Sequence, residues 1–253
     1  MTPDVYVLSV IRRYAAPARP LPVFLPIVAK QISPHIRKWA GEYFAGLTFS
    51  GSYAKGTAIR GVTDFDLFIS LKANTPGSLK DIYYALYNFA DAKGWMPRVQ
   101  NVSIGIALAE QKIDLVPARR QAPLTAYHSL YRSKADSWTQ TNVAIHIKRV
   151  RESQRRNEIR ALKIWKLLHG LDFPSFYLEL TVLEALRGRR GSLAANVLHT
   201  LAYIATKLPS ARIVDPANTN NIISEDLTAD EKRAIAAQAE ISCQQTYWEN
   251  ILW

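Results

Sequence analysis

Three aspartates and a Gly-Ser turn are the residues of this chain whose types and spacing could do chemistry. Asp64 and Asp66 stand two apart at the mouth of the apolar run Leu67-Phe68-Ile69-Ser70-Leu71. In a strand, residues two apart point to the same face, so the pair would present two carboxylates with Phe65 turned the opposite way into the core. Carboxylates that close raise one another's pKa unless a cation lies between them. Hard divalent ions such as Mg²⁺, or Mn²⁺ in its place, take oxygen ligands and keep positions for water and phosphate oxygens. Asp114, the acid inside the run Ile113-Asp114-Leu115-Val116-Pro117, is the candidate third ligand. A third carboxylate on a neighbouring strand allows two ions, roughly 3.5–4 Å apart, to flank an in-line displacement at phosphorus. Taken alone, Asp114 reads better as an edge acid bonded to neighbouring backbone; paired with Asp64 and Asp66 it reads as a metal ligand. Gly51 and Ser52 precede the aspartates in GSYAKGTAIRGVTDFDLFISL. Glycine lets backbone approach a phosphate closely, and the serine hydroxyl and nearby N–H groups can bind its oxygens. Lys55 and Thr57 add further donors.

These residues need a sheet to hold them. Leu47–Ser50 and Leu67–Leu71 read as short strands around the turn, and VSIGIAL and KIDLVPA as two more, joined by AEQ as a hairpin. Ser78–Lys93 has helical periodicity and closes on Gly94. Pro20, Pro22 and Pro26 separate an N-terminal helix from VAKQISPHIRKWAGEYF. After about residue 122 the pattern turns helical: Ile145–His169, Phe176–Arg187, Ser192–Lys207 and Thr228–Trp253, the last with a Thr228/Glu231 capping box. Pro209–Leu227 reads as a polar, turn-rich loop. The expected fold class is α+β: a mixed β-sheet lobe with helices over residues 1–121, a helical lobe over 122–253, and a ligand cleft between them.

With 253 residues, 48% of them hydrophobic and 21% charged, the chain is globular. It has no apolar run near the roughly 20 residues that span a bilayer. One cysteine, Cys243, excludes an internal disulfide and a cysteine-based zinc cluster, which fits a cytoplasmic setting. A net charge of +11 favours polyanionic partners: nucleoside triphosphates such as ATP, or RNA or DNA on a basic face. The charge gathers in two places. Between His146 and Lys166, eight basic residues from Lys148 onward face only Glu152 and Glu158, and RGRRGS holds Arg187, Arg189 and Arg190. Each also reads as a solvated basic surface.

The segment GSYAKGTAIRGVTDFDLFI resembles the signature of the DNA polymerase β-type nucleotidyltransferase superfamily: apolar-Gly-Ser, a spacer, then Asp-apolar-Asp-apolar. IDLVPA, ALKIWKLLHG, PSFYLEL and DPANTNN, in that order, are similar to one branch. It groups 2′-5′ oligoadenylate synthase, cyclic GMP-AMP synthase, the bacterial cyclic-oligonucleotide synthases (CD-NTases) of anti-phage signalling and archaeal-type CCA-adding enzymes. The resemblance runs from about Leu47 to Asn221. It implies that Asp64 and Asp66 bind both catalytic ions, and that Asp114 holds the nucleophile-side ion and helps activate the attacking hydroxyl. Gly51 and Ser52 would hold the triphosphate, and Lys163 would reach the same phosphates from the helical lobe. Ser175 and Tyr177 would lie near the nucleotide, with Asp215 and Asn218 on the far side of its pocket.

Elementary chemistry bears on some of these roles. Arg156, Arg160 and Lys163 fall along one helical stripe, costly unless an anion faces it; a solvated basic face is the alternative. Tyr177 and Trp165 are also ordinary core aromatics. His128, His146, His169 and His199 show no ligand spacing. The resemblance also has gaps. One cysteine cannot supply the zinc-binding insertion of cyclic GMP-AMP synthase, and nothing corresponds to the tRNA-holding domains of CCA-adding enzymes. The implied activity joins nucleoside triphosphates into a cyclic or short linear oligonucleotide second messenger and releases pyrophosphate. The alternatives are nucleotide addition to an RNA 3′ end and a catalytically idle nucleic-acid-binding relative. Base choice, linkage and oligomeric state are not legible.

Overall fold

The computed structural model describes residues 1–16, 27–61, 64–108 and 111–253. Pro20, Pro22 and Pro26 and the first two residues of the AEQ link lie outside them. The chain divides into two compact units. One comprises residues 17–55 and 62–147; the other comprises residues 1–16, 56–61 and 148–253.

The first unit is built on a mixed sheet. A helix, α2 (Ser33–Ala40), leads into β1 (Phe44–Phe49), the short helix α3 (Gly51–Lys55) and β2 (Phe65–Leu71). Then come α4 (Leu79–Ala92), β3 (Arg98–Val99), β4 (Ile104–Leu108), β5 (Gln111–Arg120), β6 (His128–Arg132) and β7 (Ser137–Thr141). Among the described residues the sheet runs β1-β2-β5-β4-β3, with β6 joining β5 and β7 joining β6. β2 and β5 are parallel, and the other pairs are antiparallel. Alternation explains β2: Phe65, Leu67, Ile69 and Leu71 enter the main core of this unit, while Phe68 faces a smaller cluster with Val116, Ala118 and Leu130. α4 starts on a capping box, in which Ser78 Oγ accepts from Asp81 N and the Asp81 carboxylate accepts from Ser78 N. The expected VSIGIAL/KIDLVPA hairpin is present as the antiparallel β4–β5 pair. The β6–β7 hairpin falls where the sequence pattern had already turned helical.

The second unit packs α1 (Pro3–Arg13) with α6 (Arg156–Leu168), α7 (Ser175–Ala185), α8 (Leu193–Lys207) and α9 (Ala229–Cys243) around one core. α5 (Val143–Glu152) contains the division between the units. The expected single helix Ile145–His169 is therefore two. Ser153 Oγ donates to Val150 O and accepts from Arg155 N, and Gln154 takes φ 59°, a left-handed conformation that ends a helix. The expected helix Thr228–Trp253 stops at Cys243, because Ile251 and Leu252 fold back into the core and Tyr6 OH donates to Leu252 O at 2.9 Å. Pro209–Leu227 is not wholly loop: it carries the small hairpin β8 (Val214–Asp215) and β9 (Asn218–Ile222). No helix among the described residues is long and apolar enough to cross a membrane.

Candidate active site

Strand register brings Asp66 and Asp114 together. In the parallel β2–β5 pair they are direct partners, and on the far side of β5 Gly105 of β4 is the partner of Asp114. Arg98 of β3 is in turn the partner of Gly105. A single row across four strands thus reads Asp66, Asp114, Gly105, Arg98.

The missing side chain in that row matters. A Cβ on Gly105 would stand 2.7 Å from Gln100 Nε2 and 3.3 Å from Asp114 Oδ1. The gap is where Gln100 Nε2 donates to Asp114 Oδ1 at 3.0 Å. Gln100 is itself fixed: its backbone N–H donates to Tyr83 OH, and its Oε1 accepts from Ser103 Oγ at 2.7 Å. Gln100, Arg98 and Gly105 were not singled out from sequence. The available signal was an isolated glycine inside a strand, which marks close approach by a neighbour.

Burial, then the charges of Asp66 and Asp64, push the Asp114 carboxyl up to about 7 against the opposing pull of Gln100 and Arg98. Asp64 is half-buried immediately before β2. Its charge, after burial, also raises the phenol of Tyr53, whose ring stacks on Phe65 at 4.2 Å between centroids.

Gly51 lies against Asp66. It has φ +58°, and a Cβ there would stand 1.7 Å from Asp66 Oδ2. Ser50 N donates to Asp66 O at 2.9 Å, so the turn is stitched to β2. Ser52 is half-buried and Lys55 buried in the short helix that follows. The three carboxylates sense each other, but they do not close around one point. Asp66 is seated over Gly51 and Asp114 is held by Gln100, and among the described residues no group of three His, Cys, Asp or Glu is placed to hold a metal ion.

The remaining sequence candidates lie in the helical unit. Lys163 is buried, 4% exposed, with its Nζ 2.6 Å from Oε1 of Glu179, which is 1% exposed. Thr57 Oγ1 donates to the same oxygen at 2.7 Å and accepts from Lys163 Nζ at 3.2 Å. Lys163 therefore faces a carboxylate of its own fold, where the resemblance implied phosphates. Glu179 was missed; a lone acid in the apolar run SFYLELTVL was its signal, since a buried charge needs a partner. Arg160 Nε is buried with no hydrogen-bond partner, and burial followed by Arg156 lowers its pKa.

Tyr177 is a core side chain, edge-on to Phe173 at 4.9 Å. Burial pushes its phenol up to about 12, and its hydroxyl has no hydrogen-bond partner among the described residues. A ring enclosed in this way offers no face to a base, contrary to the expected contact. Ser175 is exposed at the first position of α7. Asp215 and Asn218 shape the β8–β9 hairpin: Asp215 accepts from Ala217 N and Asn221 Nδ2, and Asn218 Oδ1 accepts from Asn220 N.

No protein-family model and no curated protein sequence matches the chain. Solved structures match over nearly its whole length. CdnC of E. coli MS115-1, solved with ATP, superposes with a TM-score of 0.75 at 18% identity, covering 93% of this chain and 89% of that one. The CD-NTase CdnG of Bradyrhizobium diazoefficiens, solved with GTP, gives 0.78 at 12% identity, covering 95% and 89%. The cyclic dinucleotide synthase CdnE of Elizabethkingia meningoseptica, solved with GTP and Apcpp, gives 0.66 at 13% identity, covering 96% and 99%. The likeness is one of fold: a mixed sheet with helices followed by a helical segment, the polymerase β-like architecture of the bacterial CD-NTases.

Proposed function

We propose that the chain is a metal-dependent nucleotidyltransferase that joins nucleoside triphosphates, releases pyrophosphate and makes a cyclic or short linear oligonucleotide that acts as a signal. The observation that carries this reading is the in-register pair Asp66 and Asp114, flanked by Asp64, on a fold shared with structures solved with ATP and GTP. Two neighbouring carboxylates on adjacent strands, both half-buried, repel each other, and a polyvalent cation relieves that repulsion.

The donor set fits a hard ion: every candidate ligand is a carboxylate oxygen, with no histidine or thiol among them. Asp64, Asp66 and Asp114 would hold two Mg²⁺ ions, Mn²⁺ serving in their place, once the carboxylates seated on Gly51 and Gln100 turn toward them. A bound metal supplies charge neutralisation at the reacting phosphoryl oxygens.

The chain's own residues do the rest. Gln100 Nε2 fixes Asp114 Oδ1, which leaves Oδ2 to take the proton of an attacking ribose hydroxyl. Gly51 holds the turn close to Asp66, and Ser52 and Lys55 contribute hydroxyl and ammonium donors to a triphosphate. Ser175, Asp215 and Asn218 remain candidates for contacts to the nucleotide. Lys163 and Thr57 are given a different part: with Glu179 they pin the segment that follows the turn.

Incubation with labelled nucleoside triphosphates and Mg²⁺ or Mn²⁺ tests the reading. Release of pyrophosphate with a phosphatase-resistant product is expected. Label transferred to added RNA would instead mean tailing of an RNA end. No pyrophosphate under either ion, with or without RNA or DNA, would overturn the enzymatic reading and favour an idle nucleic-acid-binding relative.

A further inference from the structure

Five of the basic residues singled out by sequence converge within the helical unit. Arg149 on α5, Arg155 at the helix break, and Arg187, Arg189 and Arg190 after α7 line one cavity of about 520 Å³. Glu152 is the acid on its wall. Some of these guanidiniums are positioned by the fold. Arg155 is paired with Glu158 and donates to Arg189 O, and Arg187 is paired with Glu184. Arg149 and Arg190 have no carboxylate partner among the described residues, and Arg189 Nε is buried with no hydrogen-bond partner. Cations brought together in this way repel unless an anion faces them, and the guanidinium fork matches phosphate oxygens.

A second cavity of about 350 Å³ shares Arg149, Leu183 and Arg187 with the first. Its other walls are Leu180, Ile213, Val214 and Pro216, with Arg212 and Glu184 as charged members. The paired cavities therefore share a cationic wall, and the second adds an apolar patch of Leu180, Ile213, Val214 and Pro216. Apolar walls and a guanidinium that can stack suit a flat heterocycle. The combined size lies in the ordinary range for small-ligand sites. The arginines come from three chain segments onto one hollow and do not run in line along a face, which suits a compact ligand better than a long strand.

We propose that these two cavities form a second nucleotide site, made wholly by residues of the helical unit and separate in its residues from the carboxylate row. The oligophosphate is held by Arg149, Arg155, Arg189 and Arg190, and the base lies against Leu180, Ile213 and Pro216. Arg187 lines both hollows and holds the join.

Calorimetric titration of the full chain with ATP, in EDTA to silence any metal-dependent binding, tests it. Inorganic tripolyphosphate and a short DNA duplex serve as comparison ligands. ATP is expected to bind more tightly than tripolyphosphate. The double charge reversal Arg149→Glu/Arg190→Glu, at two exposed positions, should weaken both by at least about tenfold. Lys207→Glu/Lys232→Glu, an equal change of charge elsewhere in this unit, should leave both unchanged. Circular dichroism of each variant checks folding. Absent binding, equal loss in both double variants, or no loss on arginine reversal overturns the site. ATP binding no tighter than tripolyphosphate overturns its assignment to nucleotides. Duplex binding through the arginines without ATP binding replaces it with a nucleic-acid groove.

Discussion

Asp66 and Asp114 set two like charges on adjacent strands of the sheet unit, whereas Lys163 and Glu179 set two opposite charges 2.6 Å apart in the core of the helical unit. Both arrangements remove charge from water, but the second pairs opposite charges and the first pairs like ones. In the first, the pull of Gln100 and Arg98 leaves Asp114 raised to about 7. A similar contrast separates the Lys163 ammonium, paired with Glu179, from Arg149 and Arg190, which line a hollow and have no carboxylate partner among the described residues.

The contrast breaks most visibly at Asp66. Asp66→Asn should lower pyrophosphate release by roughly a thousandfold or more, by analogy with losing a group that acts only in the transition state, while the denaturation midpoint holds or rises. Retained turnover would misplace the site. The helical pair should respond in the opposite sense. Glu179→Ala leaves a buried ammonium unanswered and should cost about 3–5 kcal/mol in chemical denaturation, much of it recovered in the apolar double variant Lys163→Met/Glu179→Leu. A small cost would show that water already reaches Lys163.

A pH series sharpens the comparison further. Asp114 binds its proton more tightly folded than unfolded, so its contribution to stability is lost as pH rises from the ordinary carboxylate range through about 7. Without divalent ions the wild type should lose up to about 4 kcal/mol across that window relative to Asp114→Asn, and the Glu179 variants, which keep Asp114, should show the wild-type slope. The smallest effect is thermal. Mg²⁺ near ten times its dissociation constant should raise the melting temperature by roughly 2–5 °C in the wild type but not in Asp66→Asn.

The carboxylates were legible because their signal is local. Asp64-Phe65-Asp66 on an apolar run declares a strand and its two faces, and the lone acid of Ile113–Pro117 declares its neighbour. What escaped was set by partners distant in sequence. Glu179 answers Lys163 and Thr57 across the helical unit, and Gln100 reaches Asp114 only because β4 carries Gly105 beside it. The break at Gln154 escaped because helical periodicity continues on either side of a single left-handed residue. Tyr177 was placed by resemblance, and its burial follows from core packing that no local pattern records.

Gly51 carries a consequence of another kind. The volume a side chain would need there is filled by the carboxylate of Asp66. Positions 51 and 66 therefore do not vary independently. A methyl at 51 must either expel the acid or be accompanied by a smaller residue at 66, and the positive φ adds about 1 kcal/mol in either background. In a library randomised at both positions, survivors for folding should spread over many pairs. Survivors for turnover should collapse onto one, so that a glycine in a turn and an acid on a strand are inherited as a single character.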